Sequence, residues 1–553
     1  MGDTIQVIPL GGLGEFGMNC TAIRCRDSIL LMDAGVMFPN GGLRGLGIDL
    51  ITPDITFLKE HRDQLLAVLL THGHEDHIGG LPYILDEIPV PVYGSRLSLG
   101  FVRKRLDEKG LNARELTSIR AGETLEIGPF TIEPLSITHS FPDSFCYAIK
   151  TPAGAIIWTG DFKVELTPTD NRHSDLGRLA EYGDEGVLLL ASDSTNASAS
   201  GLSPSEHATK EPLRALFRKS EGRIFLSCFS SSIHRIQVVV DLAAEFGRFI
   251  VPLGRSMLSN ITIARELGYL KIGEERIVSH NRWEEFAPNE LVFLATGTQG
   301  EPRSAMNRLA FDQYRKITIQ PGDTIILSAR IIPGNERNVS GMIDCFYRSG
   351  ATVYDSRTSE VHSSGHGYQA DLKIMLNLTR PKFFIPIHGE YRQLAKHAAL
   401  AKDQGLKNDQ IRILESGQIL QLDENESKIE GTVVSGYRYI DSARRKEIDL
   451  AEIKERRYMS EDGVVLITIN LQKKAPVLSI PPGVACRGIL SGTDKLKLEK
   501  SLVQQVVRAL DTCNKEKLTD DDKLSELITQ RVKKFLKKEV GKRPLVIPLI
   551  QRM

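Results

Sequence analysis

The run Leu65-Leu66-Ala67-Val68-Leu69-Leu70 and the ten residues after it, Thr71-His72-Gly73-His74-Glu75-Asp76-His77-Ile78-Gly79-Gly80, constrain this chain more than any other stretch. The run has the length and the uninterrupted apolar character of a buried strand. Three His and two acids follow within six consecutive residues, 72 to 77. They fall at a strand end, where the active sites of layered α/β folds lie. A solvated turn that happens to hold histidines is the plainer reading. Dense His and Asp spacing behind a buried strand is instead what a metal site needs, since neutral imidazoles and a carboxylate suit Zn²⁺ or a similar transition metal. On spacing, His72 and His74 could serve one metal, and Asp76 with His77 a second.

The same arrangement recurs along the first half. Residues 5–10 read as a strand, followed by Gly11-Gly12-Leu13-Gly14-Glu15-Phe16-Gly17. No Lys-Ser/Thr ending and no helix-opening pattern follows those glycines, so a tight turn bordering the site is preferred to a phosphate loop. Ser28–Met32 is a second strand, ending at Asp33, which is either a turn former or a group that orients a metal-ligating His. Helices are predicted over 81–88 and 97–109. Strands over 131–138, 155–158 and 187–191 end at His139-Ser140, Thr159-Gly160-Asp161 and Asp193-Ser194-Thr195-Asn196. Each instance is weak alone; together they predict strand ends converging on one edge of a sheet sandwich.

From about 206 to 360 the pattern changes. Amphipathic helices over 206–220 and 233–246 alternate with apolar runs at 223–228, 249–251, 291–295 and 324–328. Strands alternating with helices predict a parallel sheet in a separate α/β domain. Its loops are rich in Ser, Thr, Gly and Arg, for example Phe229-Ser230-Ser231-Ser232 and Gly254-Arg255-Ser256. Such loops are either solvated turns or, at the ends of parallel strands, a phosphate-binding face. The first theme then returns. Val361-His362-Ser363-Ser364-Gly365-His366-Gly367 precedes a helix at about 370–378, and a strand over 381–387 ends at His388. The α/β block is therefore expected as an insertion into the first domain.

At 553 residues the chain is too long for one core. The expected organisation is a first domain over 1–205, an insert over 206–360, a closing part of the first domain over 361–425, a linker over 426–445 and a small α+β domain over 446–553. Polar residues 421–430 read as connector. The last domain is predicted from strands at 464–469, 484–490 and 545–550 and helices at 495–509 and 523–538. Lys533, Lys534, Lys537, Lys538, Lys542 and Arg543 make its end basic: a solvated helix face, or a contact with nucleic acid or a neighbouring subunit. The 70 basic and 70 acidic residues cancel, which argues against a broadly basic nucleic-acid binder while allowing a local channel. Seven scattered Cys without a CxxC pair fit a reducing cytoplasm. No signal peptide or myristoylation signal is read at the N-terminus, and no apolar run reaches transmembrane length.

His-x-His-x-Asp-His at 72–77, with His139, Asp161 and His388 each behind a strand, resembles the metallo-β-lactamase superfamily. The insert, with Asp193, His366 and His388 at the three later motif positions, is similar to the β-CASP nucleases. His362-Ser363-Ser364-Gly365-His366, Ile387-His388-Gly389-Glu390-Tyr391-Arg392 and Arg457-Tyr458-Met459-Ser460-Glu461-Asp462-Gly463 resemble the bacterial ribonuclease J branch over essentially the whole chain. The fold this implies is an α/β, metallo-β-lactamase αββα sandwich carrying an inserted α/β β-CASP domain and a small α+β C-terminal domain.

The resemblance also implies a mechanism. His72, His74 and His139 would hold one divalent metal, and Asp76, His77 and His388 a second, with Asp161 bridging. Zn²⁺ is the expected metal, with Mn²⁺ or Mg²⁺ as alternatives. Two such metals, about 3.5–4 Å apart, counter the charge that makes a phosphodiester resist attack. Asp76, His77, Asp193 and His366 would be catalytic, His366 steadying the scissile phosphate or protonating the leaving oxygen. Ser231, Ser232 and Ile233, matched by position to the family's phosphate loop, would join His362, Ser363, Ser364, Gly365 and His366 in binding a 5′-monophosphate. The implied activity is 5′-to-3′ exonuclease on single-stranded RNA, with endonuclease activity, in mRNA decay and rRNA maturation. A homodimer or homotetramer and RNA-decay partner proteins are implied as well. Two other readings compete. A hydrolase of small thioesters or lactones has no use for a whole insert of Ser, Gly and Arg loops. A catalytically silent RNA-binding subunit is disfavoured by an intact set of His and Asp residues.

Overall fold

The computed structural model describes the whole chain except residues 1–3, 40, 112–114, 333, 442–445, 474–476 and 516–519. The extreme N-terminus and part of the expected linker thus lie outside the described residues. The described residues divide into two compact units, residues 1–38 with 51–438, and residues 39–50 with 439–553.

The larger unit is built on two facing sheets. One contains Ile5–Gly11, Cys20–Cys25, Ser28–Met32 and Leu65–Leu69; the other runs in the order Phe383–Ile387, Val187–Asp193, Gly154–Trp158, Ser144–Thr151, Phe130–Ile137, Leu125–Ile127. Their inner faces share a core in which Ile23, Leu30 and Leu69 meet Tyr147, Ile156 and Ile385. Each such fully buried side chain contributes about 1.5–3 kcal/mol through removal of apolar surface from water. Tyr147 donates its hydroxyl to Leu70 O at 2.8 Å, and Phe145 N–H donates to Thr71 O at 2.8 Å, so the sheets are tied where the histidine cluster begins. Helices cover the outer faces: Leu81–Glu87 and Arg96–Lys109 on the first, Leu176–Glu185, Gln369–Thr379 and Tyr391–Asp403 on the second. The second of these starts a residue earlier than its apolar pattern suggests because the Ser95 side chain caps it, accepting from Ser98 N–H.

The inserted sheet is parallel throughout, in the order Phe249–Leu253, Leu291–Ala295, Ile224–Ser227, Thr324–Leu327, Thr352–Asp355. Phe225 and Phe293 stack in its core at 4.4 Å between ring centres. The chain enters the insert after Val187–Asp193 and returns in Phe383–Ile387, the parallel neighbour of that strand. Insertion is therefore a matter of sheet topology. Helix Arg255–Glu266 of the insert packs on Arg96–Lys109, where a Cβ at Gly100 would lie 2.9 Å from Ile263 and 3.0 Å from Leu267. Nearby, the Tyr269 hydroxyl donates to Asp143, which also receives Arg172 Nη1 at 2.8 Å.

Three expectations need correction. Residues 421–430 are not connector: Gln418–Leu422 and Ser427–Thr432 form a hairpin that pairs with Ile5–Gly11, and Leu420 and Leu422 are buried. Polar residues on its outer face mask two apolar inward positions. Helix 206–220 opens as a 3-10 turn, Glu206–Thr209, whose cap is the Ser205 side chain, before Lys210–Lys219 continues as α-helix. The third concerns residues 439–553, where the helix Leu450–Asp462 was not foreseen.

In that smaller unit, Val464–Leu471 pairs antiparallel with Leu478–Arg487 and parallel with Leu545–Arg552. Val465, Ile467 and Ile469 alternate inward against Leu502, Val506, Ile528 and Val532 of the helices Gly492–Lys515 and Asp521–Val540. Helix Leu450–Asp462 has Asp449 as its cap and stops at Gly463, φ 87°. Its residue Arg456 donates to Leu46 O at 2.7 Å, which explains why residues 39–50 belong to this unit. Among the described residues, no helix is long and apolar enough to cross a membrane.

Candidate metal centre

Strand polarity assembles the site. Phe130–Ile137, Gly154–Trp158, Val187–Asp193 and Phe383–Ile387 all run the same way within one sheet, so His139, Asp161, Asp193 and His388 emerge along one edge. Leu65–Leu69 of the other sheet runs parallel to Ser28–Met32, which brings the His72–His77 stretch beside Asp33. Asp33 and His388 both take positive φ, 57° and 55°, a conformation non-glycine residues rarely adopt and one that concentrates at functional sites.

The ring nitrogens converge. His72 Nε2 lies 2.9 Å from His74 Nδ1, which lies 3.2 Å from His139 Nε2. Asp161 Oδ2 is 3.6 Å from His72 Nε2 and 3.2 Å from His77 Nε2. On the other side, His388 Nε2 is 3.3 Å from Asp76 Oδ2 and 3.7 Å from Asp161 Oδ1. Two groups of donors thus lie within 4.8 Å, His72, His74, His139 and Asp161 in one, Asp76, His77, Asp161 and His388 in the other. A third, Asp161, Asp193, His366 and His388, overlaps them. Asp161 Oδ1 is buried with no hydrogen-bond partner. An orphaned carboxylate oxygen among nitrogen lone pairs is costly unless a cation satisfies it, so these residues fit divalent metals.

Further bonds fix which ring nitrogen is left over. His77 Nδ1 donates to Asp33 Oδ2 at 2.8 Å, and Asp33 accepts Thr71 N–H at 2.8 Å through its other oxygen. Asp33 therefore orients a histidine of the cluster, the second of the two roles open to it. His139 Nδ1 donates to Gly365 O at 2.8 Å. His388 Nδ1 donates to Thr195 Oγ1 at 2.6 Å, and Thr195 donates to Asp193 Oδ1 at 2.7 Å. Asn19 Nδ2 donates to Asp76 O at 3.1 Å. Asn19 carried no sequence signal; Thr195 had only its place two residues after Asp193. The close approach of Gly35 is similarly hidden, since a Cβ there would lie 1.6 Å from Asp76 O.

Charge separates the two groups. Burial pushes His72, His74 and His139 down, His74 to about 4, so their lone pairs are free. Burial also opposes charge on His388, but Asp161, Asp76 and Asp193 outweigh it and hold this ring at about 9. Asp161 stays well below the usual carboxylate range, since His388, His77 and His366 overcome its burial. His366 Nδ1 is 2.8 Å from Asp193 Oδ2; burial works against its charge, and Asp193 and Asp161 raise it nonetheless.

The remaining predicted residues fall in two loops beside this edge. Ser231 and Ser232 precede helix Ile233–Glu245, and Ser232 makes no side-chain cap bond. His362 is pushed to about 3 by burial and by Arg235, Arg330 and Lys163. Ser363 is buried, and its hydroxyl is engaged: it donates to Pro204 O at 2.6 Å and receives Lys163 Nζ at 3.3 Å. Ser364 Oγ receives Asn196 Nδ2 at 2.8 Å and His366 N–H at 3.1 Å.

Family models match as follows: metallo-beta-lactamase superfamily over residues 13–183, Ribonuclease J, beta-CASP domain over 221–346, Zn-dependent metallo-hydrolase RNA specificity domain over 356–413, and Ribonuclease J C-terminal domain over 451–553. Ribonuclease J of Thermus thermophilus is 40% identical over 556 residues, covering 99% of this chain and 95% of that protein. Ribonuclease J of Helicobacter pylori is 38% identical, covering 98% and 79%. Ribonuclease J2 of Bacillus subtilis is 34% identical, covering 100% and 99%. A solved structure of a protein of unknown function from Enterococcus faecalis shares the fold with a TM-score of 0.52 at 15% identity, over 77% of this chain and 100% of that one.

Proposed function

The chain belongs to the ribonuclease J family, and we propose that it is a metal-dependent ribonuclease whose chemistry occurs at the strand-end site. The observation that carries this reading is the convergence of His72, His74, Asp76, His77, His139 and His388 on Asp161, whose buried Oδ1 has no hydrogen-bond partner. His72, His74 and His139 would hold one divalent metal and Asp76, His77 and His388 the other, with Asp161 shared. Zn²⁺ suits this donor set, and Mn²⁺ or Mg²⁺ can also accept it. Bound there, such cations polarise a phosphoryl oxygen and neutralise charge developing on the leaving oxygen.

The chain's own residues do the rest. Asp193 orients His366 through Nδ1, leaving Nε2 to steady the scissile phosphate or to protonate the leaving oxygen. Ser231, Ser232 and Ile233 present a hydroxyl-rich helix N-terminus suited to a phosphate. With His362, Ser364 and Gly365 they would hold a 5′-monophosphate, Ser363 acting through the loop it anchors. Holding the end sets a 5′-to-3′ exonuclease in register; RNA that enters without its end held would be cut internally. Residues 206–360 are the RNA-facing insert in this reading. We place the protein in the cytoplasm, in mRNA decay and rRNA maturation, as a homodimer or homotetramer with RNA-decay partners.

The test is hydrolysis of labelled RNA by the purified chain with Zn²⁺ or Mn²⁺. Mononucleotide release, faster from 5′-monophosphate than from 5′-triphosphate ends, is expected; equal rates remove the phosphate pocket. His74→Ala should lose both hydrolysis and bound metal, and normal activity in the metal-replete variant would sink the assignment. RNA binding without turnover would favour the silent subunit, and neither binding nor turnover a small-ester hydrolase.

A further inference from the structure

The chain crosses between the sandwich and the insert twice, between Asp193 and Ile224 outward and between Asp355 and Phe383 on return. Two buried cations join these crossovers. Lys163, two residues beyond Asp161, donates from Nζ to Pro204 O at 3.0 Å and to Ser363 Oγ at 3.3 Å, and pairs with Glu165 at 3.1 Å. Arg235, three residues beyond Ser232, reaches Glu206 with two nitrogens, Nε at 2.5 Å and Nη2 at 2.9 Å, and donates from Nη1 to Val361 O at 2.6 Å and to the Ser328 hydroxyl. The halves are linked: Glu206 N–H donates to Glu165 Oε2 at 2.9 Å, and Ser363 Oγ to Pro204 O at 2.6 Å. Lys163, Glu165, Glu206 and Arg235 are all buried, at 2%, 7%, 8% and 3% exposure.

A buried ion pair is a poor device for stability, because desolvation offsets the attraction; its better-attested use is to fix one arrangement over others. What this one fixes follows from its attachments. Arg235 sits in the first turn of helix Ile233–Glu245, directly behind the Ser231-Ser232 loop, and its Val361 contact immediately precedes His362. Lys163 holds Ser363 and extends from the Asp161 loop. Both parts of the proposed phosphate pocket and the shared metal ligand are thus tied through one network. We infer that Arg235 is a positioning residue, which, through this two-cation clamp, sets the span between a held RNA 5′ end and the metal centre. The inference rests on the ribonuclease reading above and deepens it: the clamp decides which phosphodiester of an end-held strand is presented. A misplacement of about 1 Å is enough to cost on the order of 100-fold in rate.

The experiment uses the full metal-loaded chain and two variants. Arg235→Lys keeps the charge but cannot form the fork on Glu206 while also reaching Val361. Arg235→Met with Glu206→Met removes both buried charges together, which leaves neither unpaired. Three quantities are measured: the rate ratio for 5′-monophosphate over 5′-hydroxyl RNA with product length, hydrolysis of bis(4-nitrophenyl) phosphate, and bound metal. The small diester has no end to hold. In both variants the end preference should fall about tenfold or more and products lengthen beyond one nucleotide, while diester hydrolysis and bound metal stay within about twofold. An unchanged preference in a folded variant overturns the inference. Parallel loss of all three quantities, or loss of the fold in both variants, makes Arg235 a stability residue and overturns it too. Wild-type protein that cleaves RNA with no end preference removes the phosphate pocket and the inference with it. Wild-type protein that does not cleave RNA removes the ribonuclease reading itself.

Discussion

Thr195 Oγ1 accepts from His388 Nδ1 at 2.6 Å and donates its own hydrogen bond to Asp193 Oδ1 at 2.7 Å, so one hydroxyl orients the His388 ring and leaves Nε2 toward the centre. Thr195→Val keeps the shape and removes the hydroxyl. Partners of this kind typically account for about 10–100-fold in metal affinity or activity. The variant should bind its metals that much more weakly in a chelator competition, with partial recovery of hydrolysis at high metal concentration. Unchanged affinity would show that His388 is held by packing alone.

Gly365 is a glycine for reasons of space. A Cβ there would lie 2.7 Å from His139 Cε1 and 2.7 Å from Ser140 Oγ, while Gly365 O accepts the His139 Nδ1 proton. Gly365→Ala must therefore displace either the His139 ring or the loop that carries His366. The expected result is a loss of bound metal of about one equivalent and a fall in activity of about 100-fold or more, with the fold retained by circular dichroism. Full metal content and activity would show that the loop has slack in solution.

Glu165 gives a prediction in pH. Burial alone would raise its carboxyl, but Lys163 and the backbone N–H groups of Thr167 and Glu206 outweigh it and hold the group at about 2, against an ordinary 4.5. The folded state therefore binds this proton less readily than the unfolded chain, so the carboxylate contributes stability above about pH 4.5, and that contribution disappears as pH falls toward about 2. Glu165→Gln, which mimics the protonated acid, should melt below wild type at about pH 7, with the gap closing through the acid range. A gap that is constant with pH would mean that the substitution acts through shape.

Much of this site was legible in the order of residues because its chemistry is carried locally. An apolar run followed by His or Asp states both the strand and the group at its end, and His72, His74, Asp76, His77, His139, Asp161 and His388 all followed that rule. The alternation of strands and helices from about 206 to 360 announced a parallel sheet in the same way. The hairpin Gln418–Leu422 and Ser427–Thr432 escaped because, at the margin of the sheet, its short strands carry mostly polar residues and leave only Leu420 and Leu422 as a signal. The attachment of residues 39–50 to the C-terminal unit escaped because nothing local encodes a partner some 400 residues away.

The stretch 71–80 thus carried, in its own residues, donor types that suit a divalent metal. Side-chain chemistry and strand-length hydrophobicity are properties of neighbours in the chain. Which ring nitrogen of His77, His139 and His388 faces the centre depends instead on Asp33, Gly365 and Thr195. The bonds from Arg235 to Glu206 and to Val361 are of the same kind, joining segments far apart in the chain. Those relations form only when distant segments pack, because a hydrogen bond needs its partners within about 3 Å, and sequence separation does not specify that distance.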